Sequence, residues 1–416
     1  MGGSALKKVK VSRINLSIYN LIKNDILKKF NELIFITFPS YIPDKINFGD
    51  LDCLYTLKSN NINLFEEIKH IYNPIDIVLL GNVISFSFMH SLIEPEPELE
   101  LELEPDDNQA NQLIQSSQLE QSEQPEQPEQ PEQPEQSKQQ IYYQVDMIKT
   151  QNLEMSNFYF SFGDTGNILG RITKYYGIRF GDNGMFININ SDTIKEYYKM
   201  LNPEYDTSLN LDYLANSDEI ILCTNPKEIC QYINLNYTTW LNSITNPITE
   251  LNDEYIFTSM NNIFKWITST PLYKPEIFNT LNCKNRKKTK IRPMYKKFIE
   301  WINMESSSHD VHTTHTKPIN EYKISVNKQL EALMYFNKLD EFKKIINKNI
   351  LNKERHLKFS GKKLIEFGVS NKEIKLYIND FKSYITNTYN LDFNDWLDIS
   401  DNNTVDINLQ IFISTK

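Results

Sequence analysis

The sequence predicts an α+β protein, with strands and helices interleaved in its first half and helices dominating thereafter. Three observations carry this. Up to about residue 190, segments with apolar groups at helical spacing alternate with short runs of β-branched and aromatic residues; from about 192 onward the pattern is mainly helical. The chain has 416 residues, of which 40% are hydrophobic and 12% aromatic, enough for two or three modest domains and incompatible with disorder throughout.

Residues 11–33 place Leu16, Tyr19, Ile22, Ile26 and Phe30 in one stripe, which reads as an amphipathic helix. LIFITFPS at 33–40 changes to β-branched and aromatic residues, and after a polar turn FGDLDCLYTL alternates again, giving strand, turn and strand. NINLFEEIKHIYN supplies another helix. NVISFSFM at 82–89 and IYYQVDMIKT at 141–150 read as antiparallel neighbours, with everything between them hanging from a hairpin tip. NFYFSFGDTGNILGRITKYYG reads as a strand running into a helix, and the Gly-Asp-Asn-Gly cluster of RFGDNGMFININ as a tight turn between two short strands. DTIKEYYKMLN, PKEICQYINL, TSMNNIFKWITST and RPMYKKFIEWINM continue as helices separated by Asn-Pro and Thr-Pro loops. The organisation expected is a first domain over 1–190 interrupted by an insertion at 94–140, a helical domain over 191–305, a polar linker at 306–318 and a C-terminal helical domain over 319–416.

The formal net charge is −10, but residues 94–138 hold 14 acids and a single Lys, a contribution of −13 that leaves +3 for everything else. The part expected to fold is therefore weakly basic, and partners are judged on that remainder. The EQP repeat inside the insertion has no large apolar residue and reads as an extended, polyproline-like excursion, either a tolerated surface loop or a binding tail. Cys53, Cys223, Cys230 and Cys283 form no CxxC pair, so neither a disulfide framework nor a zinc knuckle is encoded. No run of about 20 residues is free of polar groups, and the N-terminal residues lack a signal-peptide core, so we expect no membrane partner and a cytoplasmic protein.

The chemically loaded stretch is Gly49-Asp50-Leu51-Asp52. Alternate residues of a strand point the same way, so both carboxylates would face one side, about 6–7 Å apart, and would raise each other's pKa unless a divalent cation lay between them. Mg²⁺ prefers such oxygen ligands. Asp146 lies within the apolar strand YYQVDMI, where a lone charge is costly without a partner. Three carboxylates on adjacent strands would make a two-ion Mg²⁺ site suited to phosphoryl transfer. The other readings are a solvated Gly-Asp turn for Asp50 and Asp52, and the solvent face of a hairpin for Asp146.

The run FPSYIPDKINFGDLDCLY resembles the signature of the DNA polymerase beta-like nucleotidyltransferase superfamily: a strand, a small pair ending in Ser, about ten residues, then Gly-Asp-x-Asp on the next strand. YQVDMI resembles the strand of the third carboxylate, and the segment from NFYFSFGDTG to GDNGMFI resembles the strand, turn and nucleotide-facing helix of family X polymerases. DEIILCTNPKEICQYINL and RPMYKKFIEWI are similar to helical regions of viral and phage nucleotidyltransferases, and the Asn-, Ile- and Lys-heavy usage resembles that of a large DNA virus, which would place the chain in host cytoplasm or virion. The resemblance implies a nucleotidyltransferase-like mixed β-sheet, catalysis by Asp50, Asp52 and Asp146 with two Mg²⁺ ions, and nucleotide contacts from Ser40, Gly49, Asn167 and Arg171. It implies transfer of a nucleoside monophosphate from a nucleoside triphosphate to an acceptor hydroxyl, the 3′ end of a nucleic acid foremost. One departure stands out: the family has Gly-Ser or Gly-Gly where this chain has Pro39-Ser40, and proline has no N–H to offer a phosphate. A non-catalytic, nucleic-acid-binding or virion-associated protein on a decayed scaffold, or transfer to a small molecule or protein hydroxyl, are the alternatives.

CKNRKKTKIRPMYKK at 283–297 contains eight bases and no acid, the densest positive run in the chain. Lys284, Arg286, Lys287, Lys288 and Arg292 are its candidate contacts to a DNA or RNA backbone, against a solvated loop as the plain alternative. Tyr295, Phe298 and Trp301 follow at i, i+3 and i+6, a spacing that reads first as a helix core face and second as a base-stacking platform. FSGKKLIEFGVSNKEIKLYINDFKSYI resembles the C-terminal helical motif of bacterial-type tRNA nucleotidyltransferases, with Lys362 and Lys363 as candidate RNA contacts beside a purely structural helix-turn-helix reading. His309, His312 and His315 lie among Ser and Thr and read as an ordinary loop.

Overall fold

A computed structural model describes residues 5–43, 45–91, 140–204, 211–212, 219–245, 256–279, 292–308 and 321–416. The chain is mixed α+β, with a mixed sheet and a helical C-terminal region. The larger sheet has the strand order β2-β4-β7-β6-β5, formed by β2 (Ile34–Thr37), β4 (Leu51–Leu57), β5 (Ile77–Leu80), β6 (Val83–Ser91) and β7 (Gln140–Lys149). Two compact units divide the chain. The first comprises Met1–Leu33, Ile46–Asp52 and Ser59–Ile148, the second Ile34–Lys45, Cys53–Lys58 and Lys149–Lys416. Among the described residues no helix is long and apolar enough to cross a membrane.

In the first unit, β1 (Ile14–Asn15) pairs antiparallel with β3 (Asn47–Phe48). The side chain of Asn15 then caps α1 (Leu16–Phe30), accepting from the backbone N–H of Ile18 at 2.9 Å. Helix α1 buries Tyr19, Ile22, Ile26 and Phe30, while Leu16, expected in the same stripe, is exposed in the first turn. Helix α2 (Leu64–Tyr72) adds Tyr72, whose ring stacks on Phe86 with centroids 5.2 Å apart and whose hydroxyl donates to Asp25 at 2.7 Å.

Strand β6 pairs antiparallel with β5 on one side and with β7 on the other, in unbroken register from Val83↔Ile148 to Ser91↔Gln140. The 94–140 insertion thus falls between the paired ends of a hairpin. Apart from Gln140, which opens β7, it lies outside the described residues. Strand β5 was not foreseen, because IDIVLL follows Pro74 directly and shows no polar alternation.

In the second unit the sequence expectation of a strand at NFYFSF is overturned: Leu153–Phe160 is helix α3. Asn152 caps it, its side chain accepting from the N–H of Met155 at 3.0 Å, and Phe158 packs edge-on to Phe180 and Trp240. The aromatic run that looks β-prone is used as a helix core face, since packing overrides intrinsic preference. Helix α4 (Thr165–Tyr175) follows after a turn in which Phe162 and Gly163 have positive φ. Strands β8 (Arg179–Gly181) and β9 (Gly184–Asn188) form the expected tight hairpin about Asp182-Asn183.

Glu219–Cys223 is a strand, β10, antiparallel to β9, where the sequence resemblance had suggested helix. Helices α5 (Ser191–Leu201), α6 (Pro226–Tyr232), α7 (Tyr237–Thr245), α8 (Met260–Thr268), α9 (Glu276–Asn279) and α10 (Pro293–Ser308) share one hydrophobic core with this three-stranded sheet. Helix α10 runs through Ser308, into the stretch expected as linker; residues 309–320 lie outside the described set. After α11 (Glu321–Tyr335) and α12 (Leu339–Lys358), the helices Gly361–Glu366, Ile374–Tyr389, Phe393–Ile399 and Asn402–Ser414 enclose a separate core around Phe381, Trp396 and Phe412.

Candidate metal centre

The centre belongs to the first unit and is built from two neighbouring strands. Gly49 and Asp50 lie in the bend between β3 and β4, Asp52 is the second residue of β4, and Asp146 sits on β7, beside β4 in the sheet. A carboxylate oxygen of each of the three lies within 4.8 Å of those of the other two. Asp50 precedes the strand instead of lying in it, so the bend, and not strand alternation alone, turns its carboxylate toward Asp52. Asp52 is exposed, and Asp50 and Asp146 are half-buried.

The surroundings hold Asp146 in place. Gln144, two residues earlier on the same face of β7, donates its amide to both carboxylate oxygens at 2.9 and 3.1 Å. Ser85 stands directly opposite Asp146 in the β6–β7 register and hydrogen-bonds it. The carbonyl oxygen of the Gln144 side chain accepts from the backbone N–H of Ala5, which fixes the amide so that its NH₂ faces Asp146. Next along the same face, Ser87 Oγ accepts from the N–H of Asp76, and Asp76 accepts from the N–H groups of Lys7 and Lys8, each at 2.7 Å. Ser85, Ser87, Gln144 and Asp76 are buried here, and the backbone N–H groups of Ala5, Lys7 and Lys8 supply partners to Gln144 and Asp76.

Burial is the main reason the Asp146 carboxyl titrates above the usual carboxylate value. The nearby charge of Asp50 and a hydrogen bond with it raise it further, while the bonds from Ser85 and Gln144 oppose the shift. A half-buried carboxylate with a second carboxylate beside it is in the condition that a divalent cation relieves, since one ion can offset both charges. Three hard oxygen donors, one oriented by second contacts, fit a cation of the Mg²⁺, Mn²⁺ or Ca²⁺ type and not a soft metal.

Sequence reasoning did not single out Gln144 or Ser85. Gln144 carried a usable signal, because period-two alternation on YYQVDMI places it on the face of Asp146; Ser85 becomes visible only with the hairpin register.

The remaining candidates belong to the second unit. Ser40 donates its backbone N–H to Ser161 Oγ at 3.0 Å and accepts from the N–H of Phe162 at 2.6 Å, so the loop expected to meet phosphates is tied to the α3–α4 turn. Asn167 and Arg171 are one turn apart on α4. The side-chain oxygen of Asn167 accepts from the Tyr159 hydroxyl at 3.3 Å. Arg171 donates to the carbonyl of Ile277 at 3.2 Å, and its Nε is buried without a hydrogen-bond partner.

Arg292 pairs with Asp164 at 2.7 Å, while Lys284, Arg286, Lys287 and Lys288 lie outside the described residues, as do His309, His312 and His315. Lys363 donates to the carbonyl of Lys358 and pairs with Asp406, bonds internal to the C-terminal helices. No family model matches the chain, and no curated protein matches it in sequence.

Proposed function

We propose that this chain is a divalent-cation-dependent nucleotidyltransferase that moves a nucleoside monophosphate from a nucleoside triphosphate to an acceptor hydroxyl, foremost the 3′ end of a nucleic acid. The observation that carries the reading is the convergence of Asp50, Asp52 and Asp146 from separate parts of the chain to within 4.8 Å. Asp50 and Asp52 would hold two Mg²⁺ ions, and Asp146 the one nearer the acceptor. Bound there, the ions would supply charge neutralisation for the triphosphate and a lowered pKa for the acceptor hydroxyl.

The chain's own residues do the rest. Gln144 and Ser85 hold Asp146 in one rotamer, so that its oxygens are placed before substrate arrives. Ser40 and Arg171 are assigned to the triphosphate, Gly49 to close backbone approach and Asn167 to the nucleoside. The basic run with Lys284, Arg286, Lys287, Lys288 and Arg292 is assigned to the acceptor's phosphates. In the transfer, the acceptor oxygen bonds to the α-phosphorus, the bond to pyrophosphate breaks and the hydroxyl proton is released. The viral compartment, host cytoplasm or virion, is part of the same proposal.

A specific observation favours a second reading, a catalytically decayed scaffold that binds nucleic acid. Pro39 has no N–H and that of Ser40 is committed to Ser161, which leaves this loop poor in donors for a triphosphate. Labelled DNA and RNA oligonucleotides incubated with Mg²⁺ and each triphosphate in turn, read on a gel, separate the two. Extension that disappears in Asp52→Asn supports the enzyme; no extension with any triphosphate, together with no Mg²⁺-dependent triphosphate heat in calorimetry, supports the decayed scaffold.

A further inference from the structure

The aromatic residues behind the basic run are put to different uses. Tyr295 and Phe298 of α10 are buried in the core of the second unit, whereas Trp301 on the same helix remains partly exposed. Beside it opens a cavity of about 670 Å³, lined entirely by residues of the second unit. Ile42, Pro43, Phe264 and Trp301 provide apolar and aromatic lining, and the charged residues of the lining are Lys45, Lys297 and Glu300.

Trp301 is braced. The Phe298 ring lies 14° from parallel to it at 6.2 Å, and Phe264 packs at 5.8 Å. A supported, partly exposed indole beside lysines suits a ligand that is at once planar and anionic. A purely apolar ligand would desolvate the charged side chains of the lining, and a bare anion would leave the aromatic lining uncovered. Lys297 is exposed on the first turns of α10, and the basic run continues to Lys296 and Arg292, which pair with Glu300 at 3.6 Å and with Asp164 at 2.7 Å and would exchange those partners for a strand's phosphates.

We propose that this groove takes one nucleotide of a single-stranded nucleic acid, its base stacked on Trp301 and its flanking phosphates at Lys45 and Lys297. The inference deepens the nucleotidyltransferase reading and rests on it only for casting that strand as the acceptor.

The test is a titration of the full chain in EDTA, so that no carboxylate-held ion takes part. The probes are single-stranded DNA and RNA of about ten nucleotides, ATP alone, and inorganic polyphosphate. Tryptophan emission locates the ligand, because Trp240, Trp266 and Trp396 are buried and Trp301 is the one a base can reach; anisotropy of labelled strand gives the affinity.

Single strands should quench the emission, Trp301→Leu should weaken binding about tenfold, and Lys297→Ala should weaken it and reduce the salt slope by about one. Circular dichroism checks that both variants fold, and Lys297, being on the surface, keeps the test open if Trp301→Leu does not. The proposal is overturned if no strand binds, if ATP quenches with equal affinity, if polyphosphate matches the strands, or if neither substitution changes affinity. Strand binding without nucleotide transfer sinks the enzymatic reading alone, and transfer without strand binding in this groove sinks the present one alone.

Discussion

The two faces of the β6–β7 hairpin are made from alternate residues of the same strands, and both are buried except for Asp146, which is half-buried, but by opposite means. One face holds Ile84, Phe86, Phe88, Tyr143, Val145 and Met147, where removing apolar area from water is itself stabilising. The other holds Ser85, Ser87, Gln144 and Asp146, where each polar group has to find a partner to offset its lost hydration. Ser87 and Gln144 find theirs in the backbone of Asp76 and Ala5. Asp146 is compensated only in part, and its carboxyl is pushed up. The comparison teaches that one face stabilises the hairpin by apolar burial, while the other places a carboxylate at a stability cost, close enough to Asp50 and Asp52 for the three to hold a metal ion.

The largest effect should come from the carboxylate cluster. Asp52→Asn is expected to lower nucleotide transfer by about 10³-fold or more while leaving the circular dichroism melt within a degree or two, because the residue is exposed and its loss opens no cavity. Full turnover in that variant would remove the metal assignment. Phe86→Ala, on the apolar face and fully buried, should cost about 3–5 kcal/mol in urea unfolding, with activity per folded molecule retained. A loss of transfer with no loss of stability would show that the faces are not separable in this way.

Gln144→Leu tests the support of the site. Its expected signature is a divalent-cation affinity about 10–100-fold weaker in calorimetry, as befits a group that orients a ligand without being one. The smallest effect is the most discriminating. In metal-free buffer, Asp146→Asn should stabilise the fold by about 1 kcal/mol, since it removes an incompletely compensated, half-buried charge. The sign follows from linkage. The folded chain holds the Asp146 proton more tightly than the unfolded chain, so stability contributed by this group is full below the ordinary Asp value and falls as pH rises through the folded one. The variant should lose that slope, measured as thermal midpoint across the acid range; an unchanged slope would show that Asp146 is not the group responsible.

Much of this arrangement was legible beforehand, and the reasons differ by element. The β6–β7 pair announced itself because Val, Ile, Phe and Tyr alternate on both sides of a segment that has no apolar content to fold with, and the turn at Asp182-Asn183 because Gly flanks it on each side. Asp146 stood out as the acid in an apolar strand. What stayed hidden depended on tertiary context. Phe158 and Phe160 favour strands locally, and only the packing of Phe158 against Phe180 and Trp240 makes Leu153–Phe160 a helix. EIILC could be a strand or a helix turn until β9 supplies a partner. Ser85 gains its role from a register that no local pattern states, and the commitment of Ser40 to Ser161, 121 positions away, has no sequence trace.

One feature of the hairpin reaches beyond chemistry. Because Ser91 and Gln140 sit opposite each other at the end of the ladder, the chain leaves and re-enters at nearly the same point, and connections of very different length can join the two ends at little difference in closure entropy. Such a junction tolerates lengthening, shortening or outright exchange. It is a natural splice point, where a fluorescent protein or an affinity tag could be grafted while Asp146, six residues inside the strand, keeps its place.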